Sequence, residues 1–218
     1  MVGSRQKGET AIEQNRLVTS TPFSLTCLCM RIPPAVVLSA ACLIFCCAGA
    51  VSQFYPDSYY TEDRTYVNKP LQFSLTYRGN WDIITDPDRM DRANKETAAA
   101  LAQTGVELLY IGSTYEGTQA TRGIAANLNL TSREYAEKIR TLMKNSIQED
   151  MGLTEFMAHD KYMIKWQFVK SGFHFIEFFF TLDTYNIRIA FWTTPELMPN
   201  FMPVYEEILS TLTIISRY

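Results

Sequence analysis

The body of the chain reads as short alternating runs interleaved with helical patterns. In LQFSLTY, Leu71, Phe73, Leu75 and Tyr77 alternate with Gln72, Ser74 and Thr76, the period of a strand with one face in a core and the other in water. Arg78-Gly79-Asn80 supplies a turn, and WDII continues as a second, short strand. Asp86 ahead of Pro87 predicts a short helical turn, because an N-cap oxygen precedes a first-turn proline. Residues 95–103 are rich in alanine and end just before Gly105, which predicts a helix with a glycine at its C-terminal cap. VELLYIGST and RGIAANLNL then predict two strands on either side of a turn at Glu116-Gly117.

Thr131-Ser132-Arg133-Glu134 carries the capping-box pattern, a hydroxyl at the N-cap and a carboxylate three residues on. A helix of about four turns is predicted to follow and to end at Gly152. Tyr135, Ile139, Leu142, Met143 and Ile147 form its apolar stripe, while Glu137, Lys138, Arg140 and Lys144 point elsewhere. Three strands come next: residues 161–170 up to Ser171-Gly172, residues 173–183 back to Thr184-Tyr185, and residues 186–194, which contain IRIAFWTT. A last helix is predicted from about Pro203, with Tyr205, Ile208, Leu209 and Leu212 buried and Glu206 and Glu207 outside.

The stretch FHFIEFFFTL, residues 173–182, settles the layer arrangement. Sorted by alternate positions it gives His174, Ile176, Phe178, Phe180 and Leu182 on one face and Phe173, Phe175, Glu177, Phe179 and Thr181 on the other. Both faces are apolar. A strand that avoids water on both sides belongs inside a sheet covered on both sides, and ten residues with a glutamate among them are too few and too polar for a membrane helix. The expected fold class is α+β, an antiparallel sheet sandwiched between helices.

The 218 residues provide enough chain for one ordinary domain and an appendage. The appendage is residues 1–50. It holds Arg5, Lys7, Arg16 and Arg31 against Glu9 and Glu13, which leaves the rest with 16 basic and 21 acidic residues, a net charge of −5. Without a cluster of lysines and arginines, nucleic acid is not an expected partner. All five cysteines, Cys27, Cys29, Cys42, Cys46 and Cys47, lie in the same segment. They read as small hydrophobes rather than metal ligands, since the only histidines, His159 and His174, are distant.

From Ile32 to Val51 there is no charge, and Ala48-Gly49-Ala50 places small residues where a signal peptidase requires them. Cleavage after Ala50 is the leading expectation, with Met30 as an alternative start. The same run is also long enough for an uncleaved anchor, in which case residues 32–51 give membrane association. Lipid attachment at Cys42 fits less well, because Leu38 falls one place too early. Each outcome places the body outside the cytosol, in a periplasm, a lumen or the medium, and a cysteine-free body suits an oxidising compartment. Residues 51–68 read as a tether, and the domain proper as residues 69–218.

The order of these elements, from the LQFSLTY hairpin through TGVELLYIGS and RGIAANLNL to the aromatic meander ending in RIAFWTT and a final helix, resembles the PsbP-like alpha-beta-alpha sandwich family. That family includes an extrinsic protein of photosystem II, bacterial exported proteins and lipoproteins, and a eukaryotic nuclear-transport factor. The resemblance covers residues 69–215. It implies a non-enzymatic binding or accessory module of the exported or lipoprotein type, whose partners vary from member to member. It supplies no common active site, so no residue role is carried over.

The chemistry of the body fits that implication. There is no cysteine nucleophile, no G-x-S-x-G elbow and no phosphate loop. The carboxylate pairs Asp86/Asp88 and Glu206/Glu207, which an unrecognised hydrolase would need, read as caps and solvated surface. No catalytic residue, metal or cofactor is expected. The expected partner is a protein or a small polar ligand, and the alternative is a membrane-anchored structural protein of the envelope.

One local site can be named. If Ser171-Gly172 and Thr184-Tyr185 close tight hairpins, Trp166, Glu177 and Trp192 fall in one row, flanked by Ile164, Phe168, Phe175 and Phe179, with Arg188 farther along the same face. Glu177 is then either a structural acceptor or the carboxylate that fixes a polar or cationic ligand between aromatic walls. Glu177, Trp166, Trp192 and Arg188 are the binding candidates.

Overall fold

Strand β9, Phe173–Leu182, lies inside a seven-stranded antiparallel sheet and is buried on both faces along most of its length. The computed structural model describes residues 58–215. The cleavage residues Ala48 and Ala50, the run 32–51 and all five cysteines lie outside the described residues. The large sheet is built from β4 (Trp81–Ile84), β5 (Val106–Thr114), β6 (Ala120–Asn127), β7 (Glu149–Ala158), β8 (Lys161–Lys170), β9 and β10 (Tyr185–Thr193). Its order is β4-β5-β6-β10-β9-β8-β7. A second sheet has the order β1-β2-β3-β11, from Tyr59–Tyr60, Thr65–Asn68, Phe73–Thr76 and Thr213–Ile214.

The alternation of β9 sends its two residue sets into different cores. Ile176, Phe178 and Phe180 join Ile189 and Phe191 of β10 in the larger one. That core is closed by Phe73 and Leu75 of the small sheet and by Tyr205, Ile208 and Leu209 of helix α3, Met198–Ser210. On the opposite face Phe179 joins Ile164, Trp166 and Phe168 beneath helix α2, Ser132–Met143. Helix α1, Arg92–Gln103, covers Leu108 of β5 and Ile124 of β6 farther along that face. The fold is α+β, with the large antiparallel sheet between two covers, one of which is shared by α3 and the small sheet.

The helix starts follow from their caps. Thr131 accepts the backbone N–H of Glu134 while a Glu134 oxygen accepts the N–H of Thr131, the reciprocal box that the sequence predicts. Asp91 accepts the N–H of Asn94 at 2.8 Å and starts α1 at Arg92, three residues ahead of the alanine-rich pattern. Asp86 caps a single 3-10 turn at Pro87–Arg89.

Several boundaries differ from expectation, each for a local reason. Helix α2 does not run on to Gly152. It stops at Met143 and gives way to a 3-10 turn, and Gly152 lies in β7 with φ 84° at an irregularity in the pairing with β8. β7 itself is hidden from pattern reading because, as an edge strand, it is mostly exposed and does not alternate. Leu142 leaves the apolar stripe and is 73 % exposed. The final helix begins at Met198, so Pro199 is its first-turn proline and Pro203 lies inside it. The stretch expected to be a tether contributes β1 and β2, whose Tyr66 is buried with its ring 4.6 Å from that of Tyr110.

Candidate functional site

The first hairpin of the meander closes at Ser171-Gly172, so Lys170 faces Phe173 and Trp166 faces Glu177, as the tight turn requires. The second closes one residue earlier than Thr184-Tyr185. Tyr185 already pairs with Leu182, leaving Asp183 and Thr184 as the turn, with Asp183 at φ 52°. Aspartate tolerates that left-handed backbone far better than an aromatic residue does. The shift is two positions in register, so side chains keep their faces but change neighbours. Ala190 faces Glu177, and Trp192 faces Phe175. The expected row of Trp166, Glu177 and Trp192 is thereby replaced by Trp166, Glu177, Ala190 and Arg122.

Arg122 was missed because its strand, β6, is far from β9 in sequence and reaches it only through β10. One signal was available. In RGIAANLNL, Arg122 has the same parity as Ile124, so it is a charge at an inward-facing position.

Glu177 is fully buried and stands between two guanidinium groups. The Nε of Arg188 is 3.6 Å from one carboxylate oxygen and an Nη of Arg122 is 3.9 Å from the other. Neither contact is short enough to be a hydrogen bond, and both Glu177 oxygens and both arginine Nε atoms lack a hydrogen-bond partner among the described residues. Burial lowers the pKa of Arg122 from its ordinary value, Arg188 adds to that effect and Glu177 opposes it. The indole of Trp166 does not serve Glu177. It donates to Asp150 at 3.0 Å, a carboxylate also bound by Arg140 and by the N–H of Gly152.

The aromatic side chains around this cluster form a continuous series across three strands, β8, β9 and β10. Trp166 and Phe168 have ring centroids 4.2 Å apart, Phe168 and Phe175 lie parallel at 5.0 Å, and Phe175 and Trp192 stack at 5.5 Å. The guanidinium of Arg122 closes the series 5.8 Å from the Trp192 ring centre. Beyond it opens a cleft of about 400 Å³ between α1 and the sheet. Its walls include Asp91, Asn94 and Leu101 from the α1 side and Ile111, Arg122 and Trp192 from the sheet. Arg122 and Trp192 are partly exposed, whereas Glu177 and Trp166 have no exposure. Two of the four candidates, Glu177 and Arg188, thus stand behind the cleft, Trp192 lines it, and Trp166 is remote from it.

Three of the four carboxylates in the pairs that a hydrolase would need have partners of their own. Asp86 accepts the N–H of Asp88, Glu206 binds Lys165 at 2.8 Å, and Glu207 pairs with Arg78. The described residues contain no group of three or more histidine, aspartate or glutamate side chains placed to hold a metal ion. Among them, no helix is long and apolar enough to cross a membrane.

Among solved structures, the chain is similar to cyanobacterial PsbP (CyanoP) from Synechocystis, with 9 % identity and a TM-score of 0.48 over 69 % of this chain and 91 % of that one. A structure from Bacteroides thetaiotaomicron is similar at 11 % identity and a TM-score of 0.43, over 70 % of this chain and 48 % of the other. No family model matches the sequence, and no curated protein does. At such identities these likenesses concern chain path alone, and no site residue passes from either structure to this one.

Proposed function

We propose that this chain is an exported, non-enzymatic binding or accessory domain whose ligand site is the cleft between α1 and the sheet at Arg122 and Trp192. The observation that carries the reading is the placement of a partly exposed arginine and a partly exposed tryptophan at the mouth of a cleft, backed by a buried carboxylate and a second arginine. Concave sites of this size with an apolar wall and a few fixed polar groups are the usual form of a small-molecule site. The nearby charges are two arginines, the buried carboxylate between them and a helix-capping aspartate, and none is joined to a nucleophile.

Export rests on the charge-free run 32–51 and the Ala48-Gly49-Ala50 pattern. Cleavage and retention as an anchor put the body on the same side of the membrane, and retention would tether it as an envelope component. N-terminal sequencing of the exported protein distinguishes them: a mature end at Val51 is expected.

The site is tested by titrating the ¹⁵N-labelled purified protein with small anionic, neutral and cationic ring compounds. The chain has three tryptophans, and of these only Trp192 lines the cleft. A ligand in the cleft should move the Trp192 indole signal and the α1 amides at Asn94 and Leu101, leaving the indoles of Trp81 and Trp166 in place. If no compound moves the Trp192 signal at millimolar concentration, the cleft is not a ligand site.

A further inference from the structure

We infer that the cleft takes a small ring-bearing carboxylate, with the carboxylate on Arg122 and the ring against Trp192 and Ile111. The inference rests on the cleft being the ligand site, and it moves the expected polar or cationic ligand from Glu177 to Arg122 and makes it an anion. It stands on charge and access. Glu177 has no exposure and already faces two arginines, so a cation in the cleft would meet Arg122 first. The cluster holds two guanidinium groups and one carboxylate, one positive charge in excess.

The remaining charge on the cleft wall, Asp91, is tied to the start of α1. It accepts the N–H of Asn94 at 2.8 Å as the N-cap of α1, where the helix end itself favours a negative group. Arg122 is therefore the charge that a ligand can use, because 29 % of its side chain is exposed, although its Nε is itself buried and without a protein partner. A guanidinium fork matches the two oxygens of a carboxylate.

The rest of the cleft selects the body of the ligand. Trp192 is stacked on Phe175 by one face, and Arg122 lies near its ring. Leu101, Leu108 and Ile111 supply an apolar wall. A ring would pack on that wall and on the exposed part of the indole, and a volume of about 400 Å³ suits a molecule of one or two rings.

Three compounds of nearly equal shape separate the possibilities: indole-3-acetate, indole-3-acetamide and tryptamine, each titrated against the purified full-length protein while the Trp192 indole signal is followed. The carboxylate should bind about tenfold to a hundredfold more tightly than the amide, the range expected for hydrogen bonds to a charged group, and the amine should bind most weakly. Equal affinities, or a preference for the amine, would overturn the carboxylate inference while leaving the cleft as a ligand site. Failure of all three to move the signal would remove the cleft reading and the inference with it.

Two variants add independent checks. Arg122→Gln should bring the carboxylate down to the affinity of the amide, and an undiminished preference would overturn the inference. Glu177→Gln should tighten carboxylate binding, because it removes the charge that competes for Arg122; weaker binding in the folded variant would overturn it by showing that Glu177 itself holds the ligand. If either variant fails to fold, the three-compound series on the unaltered protein decides the matter alone.

Discussion

The Nε of Arg188 lies 3.6 Å from Oε2 of Glu177, a carboxylate with no exposure to solvent. A buried charge left without its partner costs far more than the pair contributes when intact. Arg188→Met leaves only the longer contact from Arg122, and Glu177→Gln leaves two guanidinium groups facing each other. Each is expected to destabilise the protein by about 3 kcal/mol, near the lower end for a broken buried pair because a third charge remains. Urea unfolding measures it. Losses below about 1 kcal/mol in both would mean that water reaches the cluster.

Gly123 lies under the ring of Tyr110, its cross-strand neighbour. A Cβ at that position would stand 2.4 Å from the tyrosine Cε1. The ring has nowhere to retreat, since its hydroxyl is 2.6 Å from that of Tyr77 and its face packs against Tyr66. Gly123→Ala is therefore expected to cost about 1–3 kcal/mol, the range for overpacking a filled core. Thermal unfolding at an unchanged midpoint would show that Tyr110 can move aside.

How much of this was legible in the sequence depends on how local the cause was. The capping box at Thr131, the alternation of β9 and the turn at Ser171-Gly172 each involve neighbours along the chain, and pattern reading finds them. Tyr66 escaped because β2 has only four residues, too few to show a period. β7 escaped because its outer edge is unpaired and most of its residues face water. The site was half legible. Parity placed Glu177, Arg188 and Trp192 on one face, but the partner Arg122 arrives through β6, and the order β6-β10-β9 is set by the packing of whole strands rather than by any local signal.

His174 is mostly buried and its Nε2 has no hydrogen-bond partner among the described residues. Burial lowers its pKa, opposed by the charge of Glu149. The unfolded chain therefore takes up a proton near the ordinary histidine value, about 6.5, under conditions where the native state still refuses it. Stability from this group is complete above that value and declines as pH falls toward the lowered native value. Unfolding free energies measured between about pH 7.5 and pH 5 should fall in the parent and fall less in His174→Gln. Identical slopes would assign the dependence to other groups.

Thr131 and Lys138 lie on the same helix with different duties. Thr131→Ala removes the hydroxyl that accepts the Glu134 N–H and is expected to cost about 1 kcal/mol. Lys138→Ala on the exposed side should stay within about 0.5 kcal/mol. Hydrogen bonds from the Thr131 backbone and hydroxyl hold Glu134 below the usual glutamate range. Its contribution is accordingly present above the unfolded-state value and is lost as pH falls through the lowered one. Equal unfolding midpoints for the two variants would show that the box does not form in solution.

The neighbours of Trp192 depend on one backbone angle. Asp183 adopts φ 52° at the turn between β9 and β10, which pairs Tyr185 with Leu182 and so sets Trp192 beside Phe175. Glycine occupies that conformation without strain, whereas a β-branched residue does not. Asp183→Gly should leave stability within about 0.5 kcal/mol, and Asp183→Val should cost about 1–2 kcal/mol, the penalty of a side chain held in the left-handed region. Contacts between the Trp192 and Phe175 rings, read by nuclear Overhauser effects, should persist in the glycine variant. If the valine variant is as stable as the parent and Trp192 instead contacts the Glu177 side chain, the turn lies at Thr184-Tyr185. Trp192 would then sit directly across from the buried carboxylate.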